Sequence, residues 1–399
     1  MKPVAEQMTH LLRGIDTLLP EGGLEERLVE GRPLRVKLGL DPTASDVHLG
    51  WAVVLRLLRR FQELGHIAVL IVGDFTAQVG DPSDTSVTRS RLTADEVLEY
   101  AEGCLSAVTG LLLPENLELR YNSEWLAGMD MGAVLDLTSK VTVARLLERE
   151  DFATRLEAGR PVSLIEFMYP LLQGMDSVAV EADIELGGAD QLWNLLVGRE
   201  LQERHGQNPQ LVMTVPLLVG TDGVRKMSQS YENYISVSDP ATEMFGKVMS
   251  IPDEAMGDYF LLATDVDEGE VRAIAAGLET GDLHPGETKR RLGREIVARY
   301  WGSEAAKQAE RAFDRVFKDK RAPQEVEEVA LPDDDPVWLP GLLRDAGLVK
   351  STSQGKRLLA QRAVKVEGEP VTGEEVGRDE LAGRVMQVGK RRFVRLVAS

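Results

Sequence analysis

The apolar positions change period several times along this chain. Residues 34–40 are largely apolar. A polar stretch, Asp41-Pro-Thr-Ala-Ser-Asp46, then yields to Val53, Val54, Leu57, Leu58, Phe61 and Leu64 before another continuous apolar run at 67–73. Spacings of three and four mark a helix with one buried face, and short continuous runs suit strands covered on both faces. Residues 34–40, 51–65 and 67–73 therefore read as strand, helix, strand, a right-handed βαβ unit in a parallel sheet. Interrupted helical patterns occupy 92–113 and 129–156. The sheet is expected to resume at 178–184 and 211–219, and helices to follow from 240 to about 317.

The pattern then changes character. Residues 322–336 are acidic, punctuated by Pro and poor in apolar surface, which reads as a linker. Beyond it, 340–348 and 353–361 read as two short helices, the second capped by Ser351, Thr352 or Ser353, and 363–371 as strand, turn, strand. No repeat is visible, and the fold class is α/β with a smaller α+β module at the C-terminal end.

Composition narrows the function classes. With 399 residues and a 43% hydrophobic fraction the chain has room for two or three domains around a sizeable core. No apolar run is long enough to span a membrane and residues 1–7 lack a signal-peptide core, so a cytoplasmic protein with no membrane partner is expected. A single cysteine, Cys104, excludes an internal disulfide and a multi-cysteine metal site, and no metal ligands are assigned. The net charge of -19 opposes general nucleic-acid binding. Residues 337–399 nevertheless hold twelve Lys and Arg against seven Asp and Glu, a balance of +5, which leaves -24 on residues 1–336. A net-positive tail on an acidic body is either a local RNA-binding module or a solvated basic surface.

Two segments carry candidate chemistry. Asp41-Pro-Thr-Ala-Ser-Asp-Val-His48-Leu-Gly50-Trp51 joins a strand to a helix, so backbone N–H groups, a helix N-terminus and an imidazole surround a volume suited to an anion. Lys226-Met-Ser-Gln-Ser230 follows a second strand and a Gly220-Thr-Asp-Gly223 turn, forming a loop with a cation and hydroxyls.

In this order, the two segments resemble the signature motifs of class I aminoacyl-tRNA synthetases. Gly73-Asp-Phe-Thr76, Gly80-Asp81-Pro-Ser83, Tyr121-Asn-Ser-Glu-Trp125, Tyr169-Pro-Leu-Leu-Gln173-Gly-Met-Asp176 and Gly187-Gly-Ala-Asp190-Gln191 sharpen the resemblance to bacterial tyrosyl-tRNA synthetases, over nearly the whole chain. The resemblance implies a Rossmann-like catalytic domain at 1–238 with a dimer-forming insertion at about 122–180. A helical domain at 239–321, a linker at 322–336 and an S4-like RNA-binding domain at 337–399 would follow. It implies ATP and L-tyrosine as substrates, Mg²⁺ accompanying ATP, tRNA(Tyr) as partner and a homodimer.

Residue roles follow from the same resemblance. Thr43, His48 and Lys226 would be catalytic, stabilising phosphate charge. Asp41, His48, Gly50, Arg89, Asp190, Lys226, Met227, Ser228, Gln229 and Ser230 would bind ATP. Lys37, Thr76, Asp81, Tyr169, Gln173, Asp176 and Gln191 would hold tyrosine, with Asp176 accepting from the phenol. Lys350, Lys356, Arg357 and Arg362 would contact RNA phosphates. The chain departs from the pattern at Trp51 and Gln229, where a second His and a second Lys are usual, at Asp84, Thr85 and Met175, and at Lys37, where a Tyr commonly shares phenol recognition. Three readings fit these residues: a tyrosine–tRNA ligase, a paralogue serving another amino acid or acceptor, and a non-catalytic RNA-binding regulator.

Overall fold

The computed structural model describes residues 2–43, 46–82, 92–318, 326–389 and 392–398, in two compact units, Met1–Ala306 and Lys307–Ser399. In the first, β1 (Thr17–Leu19), β2 (Arg35–Leu40), β3 (Ile67–Val72), β4 (Leu117–Tyr121), β5 (Ile184–Gly188) and β6 (Leu211–Val215) form one sheet. Their order is β1-β6-β5-β2-β3-β4, parallel throughout except for β1, which pairs antiparallel with β6. Ala68, Val69, Leu70, Ile71 and Val72 are all fully buried, as a strand covered on both faces requires. The helix Leu49–Glu63 lays Leu55, Leu57, Leu58 and Phe61 into the core and returns the chain to β3, the βαβ unit its apolar spacing implies.

Strand order positions the site. The chain runs from β2 to β3 and β4 on one side, while β5 and β6 lie on the other, so the loops leaving β2 and β5 diverge and open a crevice at the strands' carboxyl ends. The helix Leu164–Ala179 carries three pocket residues past this crevice. Ser163 and Glu166 form its capping box, and Pro170, inside it, lacks the N–H that would bond the Glu166 carbonyl. Gly174 allows close packing on the helix Leu192–Arg204, since a Cβ there would lie 2.6 Å from Leu201 Cδ1.

Some boundaries differ from the sequence expectation. Residues 178–184 are not one strand: the helix runs to Ala179, Glu181 takes a left-handed φ of 50° and β5 begins at Ile184. Pro216, which has no N–H for a ladder bond, follows the end of β6 at Val215. Neither β1 nor β4 stands out in the sequence, because one is short and the other, Leu-Glu-Leu-Arg-Tyr, is an edge strand with charged positions. Cys104 is buried in the helix Ala94–Gly110. Among the described residues no helix is long and apolar enough to cross a membrane.

The second unit has its own core, including Leu339, Leu342, Leu343, Leu359, Val364, Met386 and Leu396. Two helices, Leu339–Asp345 and Thr352–Ala360, pack together, and Ser351 caps the second by accepting from Gln354 N. Strands β7 (Glu327–Ala330), β9 (Val364–Val366), β10 (Glu369–Pro370), β12 (Val385–Val388) and β13 (Arg392–Val397) form a sheet in the order β10-β9-β12-β13-β7. Strands β8 (Val337–Trp338) and β11 (Glu375–Val376) form a separate pair. Part of the stretch read as linker is therefore β7, parallel to β13. Backbone pairing with an existing strand needs no apolar side chains, so composition hid it.

Candidate active site

Beyond β2, β3 and β5 lies a cavity of about 240 Å³ lined by both sequence motifs and by the helix Leu164–Ala179. Its inner end is built on carboxylates. Asp41, the first residue after β2, accepts from the Thr76 hydroxyl at 2.7 Å and from the Tyr169 hydroxyl at 2.9 Å. Gly73 makes room for this, since a Cβ there would lie 1.9 Å from Asp41 Oδ1. Asp41, read with the nucleotide group in the sequence, is thus bonded to two side chains of the amino-acid group. Asp81 accepts from Gln191 at 2.8 Å, and Gln191 is held in turn by Asn194.

Asp176 is buried and accepts from Trp125 Nε1 at 2.9 Å and Asn122 Nδ2 at 3.3 Å. Asn122 also donates to Thr76 Oγ1, linking the two carboxylate clusters. Burial pushes the carboxyls of Asp41 and Asp176 up to about 7, opposed at Asp176 by the charge of Lys37 and at both by the hydrogen bonds each accepts. At Asp41 the neighbouring charges of Asp81 and Asp176 push the same way. Three acids around one small volume form a receptor for a cation, and a hydroxyl donor reaching Asp176 gains a buried acceptor.

Lys37 does not line the cavity. Its buried ammonium lies beneath the helix Leu164–Ala179, donating to Gln173 O at 3.0 Å, Ser177 Oγ at 2.8 Å and Glu185 Oε1 at 2.8 Å. Lys37 and Glu185 are direct cross-strand partners on β2 and β5. Every donor of the ammonium is engaged, so Lys37 supports the floor and does not face a ligand. Glu185 also accepts from Gln173, Ser177 and Gln210, which fixes the Gln173 side chain at the cavity wall.

The outer end holds the phosphate-type groups. Thr43, His48, Gly50 and Trp51 line it, with His48 at the N-terminus of the helix Leu49–Glu63 and edge-on to Trp51 at 6.3 Å. Across the cavity Lys226 Nζ donates to Asp190 at 2.8 Å. Met227 is buried, its N–H bonded to Leu218 O, and Ser228 N donates to Asn233 Oδ1. Gln229 Nε2 donates to the Asp46 carbonyl at 2.5 Å, and Asp46 also accepts from Ser236 Oγ. The Lys226 loop is thereby tied to the His48 loop, and a smaller cavity of about 80 Å³ between them is lined by Thr43, Ser228, Gln229 and Ser230. Arg89, Asp84 and Thr85 lie outside the described residues.

Asn122, Trp125, Glu185, Asp46 and Asn233 escaped assignment from sequence. Asn122 and Trp125 stood in a quoted motif without a role. Glu185 had a legible signal, because it is the one charged residue of the strand Ile184–Gly188, as Lys37 is within the apolar run 36–40. In the second unit Lys350, Lys356, Arg357 and Arg362 are all exposed on or beside the helix Thr352–Ala360, and Lys356 pairs with Glu374 at 2.8 Å.

Known proteins similar to this chain fall in one family. The family described as tRNA synthetases class I (W and Y) matches residues 29–318. A tyrosine–tRNA ligase of Moorella thermoacetica is 49% identical over 397 residues, spanning 98% of this chain and 96% of the relative. One of Thermotoga maritima is 46% identical over 391 residues, spanning 98% and 97%. Among solved structures, the tyrosyl-tRNA synthetase of Archaeoglobus fulgidus complexed with L-tyrosine shares the fold, with a TM-score of 0.62 at 23% identity over 77% of this chain and all of the other. With a crevice at the strand switch point, a carboxylate-lined inner end and a cationic loop, all within the matched residues, the chain belongs to the class I tRNA synthetases (W and Y).

Proposed function

We infer that the protein is a tyrosine–tRNA ligase, which activates L-tyrosine with ATP to tyrosyl-adenylate and pyrophosphate and then passes the tyrosyl group to tRNA(Tyr) with release of AMP. The observation that carries this reading is the pairing, in one cavity, of the Asp41, Asp81 and Asp176 carboxylates with Lys226 and His48 at the opposite end. The near full-length likeness to tyrosine–tRNA ligases supports it.

In the proposed first step a tyrosine carboxylate oxygen attacks the α-phosphorus of ATP. A C–O–P bond forms as the bond to the β-phosphate oxygen breaks, and pyrophosphate departs with the electron pair. Nucleophile and leaving group are already ionised, so catalysis consists of positioning and charge stabilisation. The ammonium of tyrosine would sit among Asp41, Asp81, Tyr169, Thr76 and Gln173, and its phenol would donate to Asp176, oriented by Trp125 and Asn122. Asp190 would receive the ribose hydroxyls once Lys226 leaves it for the phosphates. Thr43, His48, Lys226 and the Ser228 and Ser230 hydroxyls would surround the departing pyrophosphate. Mg²⁺ would enter with ATP as counter-ion to its phosphates. Phosphate contacts by Lys350, Lys356, Arg357 and Arg362 would position the tRNA. A homodimer is proposed through the stretch 122–180, where Met131, Leu135, Val143 and Leu164 are between 62% and 78% exposed, an unusual concentration of bare apolar surface. A cytoplasmic setting suits this activity.

Exchange of labelled pyrophosphate into ATP, run over a panel of amino acids, tests the reading. Exchange that depends on tyrosine supports it, whereas exchange only with tryptophan or an aliphatic amino acid, or none at all, overturns it.

A further inference from the structure

A second, larger cavity, of about 1090 Å³, lies in the first unit, lined by side chains of the N-terminal segment, the C-terminal half of the helix Leu49–Glu63 and the helical region around 264–299. None of its lining residues belongs to the site described above. Arginine is the commonest type among them, in a chain whose overall charge is -19.

Most of the charge there is already matched. Arg56 and Arg299 share Asp265, and Arg59 pairs with Glu63 at 3.1 Å. Arg13 and Arg60 differ. Arg13 donates to backbone carbonyls, including Val266 O at 2.5 Å and Thr264 O at 3.1 Å, and its Nε is buried with no acceptor among the described residues. Arg60 donates to the backbone carbonyl of Arg13 at 2.9 Å. Neither forms an ion pair among the described residues, although both line the cavity. Burial is the main cause that pushes the Arg60 guanidinium down to about 10; the charges of Arg13 and Arg299 act the same way, and those of Asp265 and Glu63 oppose them.

We propose that this cavity is a binding site for a small phosphate-bearing anion, held by Arg13 and Arg60 with Arg59 and Arg299 at its edge. Guanidinium groups present paired N–H donors that match phosphate oxygens, and an anion would supply the charge that Arg13 and Arg60 lack. The carboxylates of Asp267, Glu268 and Glu295 also line the cavity. They would repel a long polyanion laid across it while admitting a compact one, which favours a small phosphate compound over an RNA strand.

Calorimetric titration of inorganic tripolyphosphate into the full chain tests the proposal. The active site also offers cationic groups, so Lys226→Ala is titrated in parallel. We expect a tripolyphosphate site that survives in Lys226→Ala, weakens at least about tenfold in Arg60→Gln, and is partly restored in Arg60→Lys, which keeps the charge but loses the fork. Arg60→Gln should melt like the parent and retain tyrosine-dependent exchange, because the side chain gives up one hydrogen bond, to the Arg13 carbonyl, and touches no reacting group. Binding unchanged in Arg60→Gln, or binding whose only site disappears in Lys226→Ala, overturns the proposal. So does an RNA hairpin, in place of tripolyphosphate, as the ligand whose binding Arg60→Gln weakens.

Discussion

The raised carboxyls of Asp41 and Asp176 predict that tyrosine affinity, in the roles proposed for them, depends on pH within the neutral range. Burial holds both at about 7 in the free protein, and both are the ionised partners proposed for the ligand's ammonium and phenol. Without ligand, the folded protein keeps protons that the unfolded chain releases above about pH 4, so these two groups lower stability as pH rises toward 7. A bound ammonium favours the ionised carboxylate and reverses that preference, so binding releases protons below pH 7 and weakens as pH falls. Apparent affinity scales as one over (1 + 10 raised to pKa minus pH), which from about pH 8 to about pH 6 is a loss of roughly tenfold for one carboxyl and roughly 100-fold for two. Equilibrium binding of tyrosine, followed by calorimetry or by protein fluorescence across this window, measures it. Asp41→Asn should bind more weakly at every pH and with a shallower slope, having lost one titrating group. An affinity that stays flat between pH 6 and 8, or that rises on acidification, would refute the assignment of these carboxylates to the ligand.

The Lys226 loop offers a second test: Gln229→Lys should raise the rate of adenylate formation in pre-steady-state measurements with little effect on tyrosine affinity, and Lys226→Ala should lower it. A slower Gln229→Lys enzyme would show that the bond from Gln229 to the Asp46 carbonyl matters more than an added charge. Leu135→Glu combined with Val143→Glu should lower the sedimentation mass from two chains to one, since each side chain is more than 60% exposed and leaves the fold's interior untouched. Truncation after Lys318 should preserve tyrosyl-adenylate formation, remove most tRNA charging and flatten its salt dependence. A cut at Leu331 would instead strand β7 without its partner β13 and should yield a less soluble fragment.

What the sequence determined by itself was local. Apolar spacing marked β2, the helix Leu49–Glu63 and β3. Ser351 was among the caps legible before its helix, and the His48 and Lys226 segments announced phosphate chemistry through residue type and position after strands. These features rest on interactions within a few residues, such as capping bonds and periodic burial, which any reader of the chain can count. The tertiary structure decided which distant groups meet. Asp41 lies far along the chain from Tyr169, and only the placement of β2 between β5 and β3, with the helix Leu164–Ala179 across them, brings their side chains to 2.9 Å. Lys37 looked like a ligand contact because it replaces a residue that often is one. Its register opposite Glu185 sends the ammonium beneath the pocket, and a buried charge stays with the partner that neutralises it. Strand order and register are set by the packing of the whole sheet, and no short window of sequence contains that information.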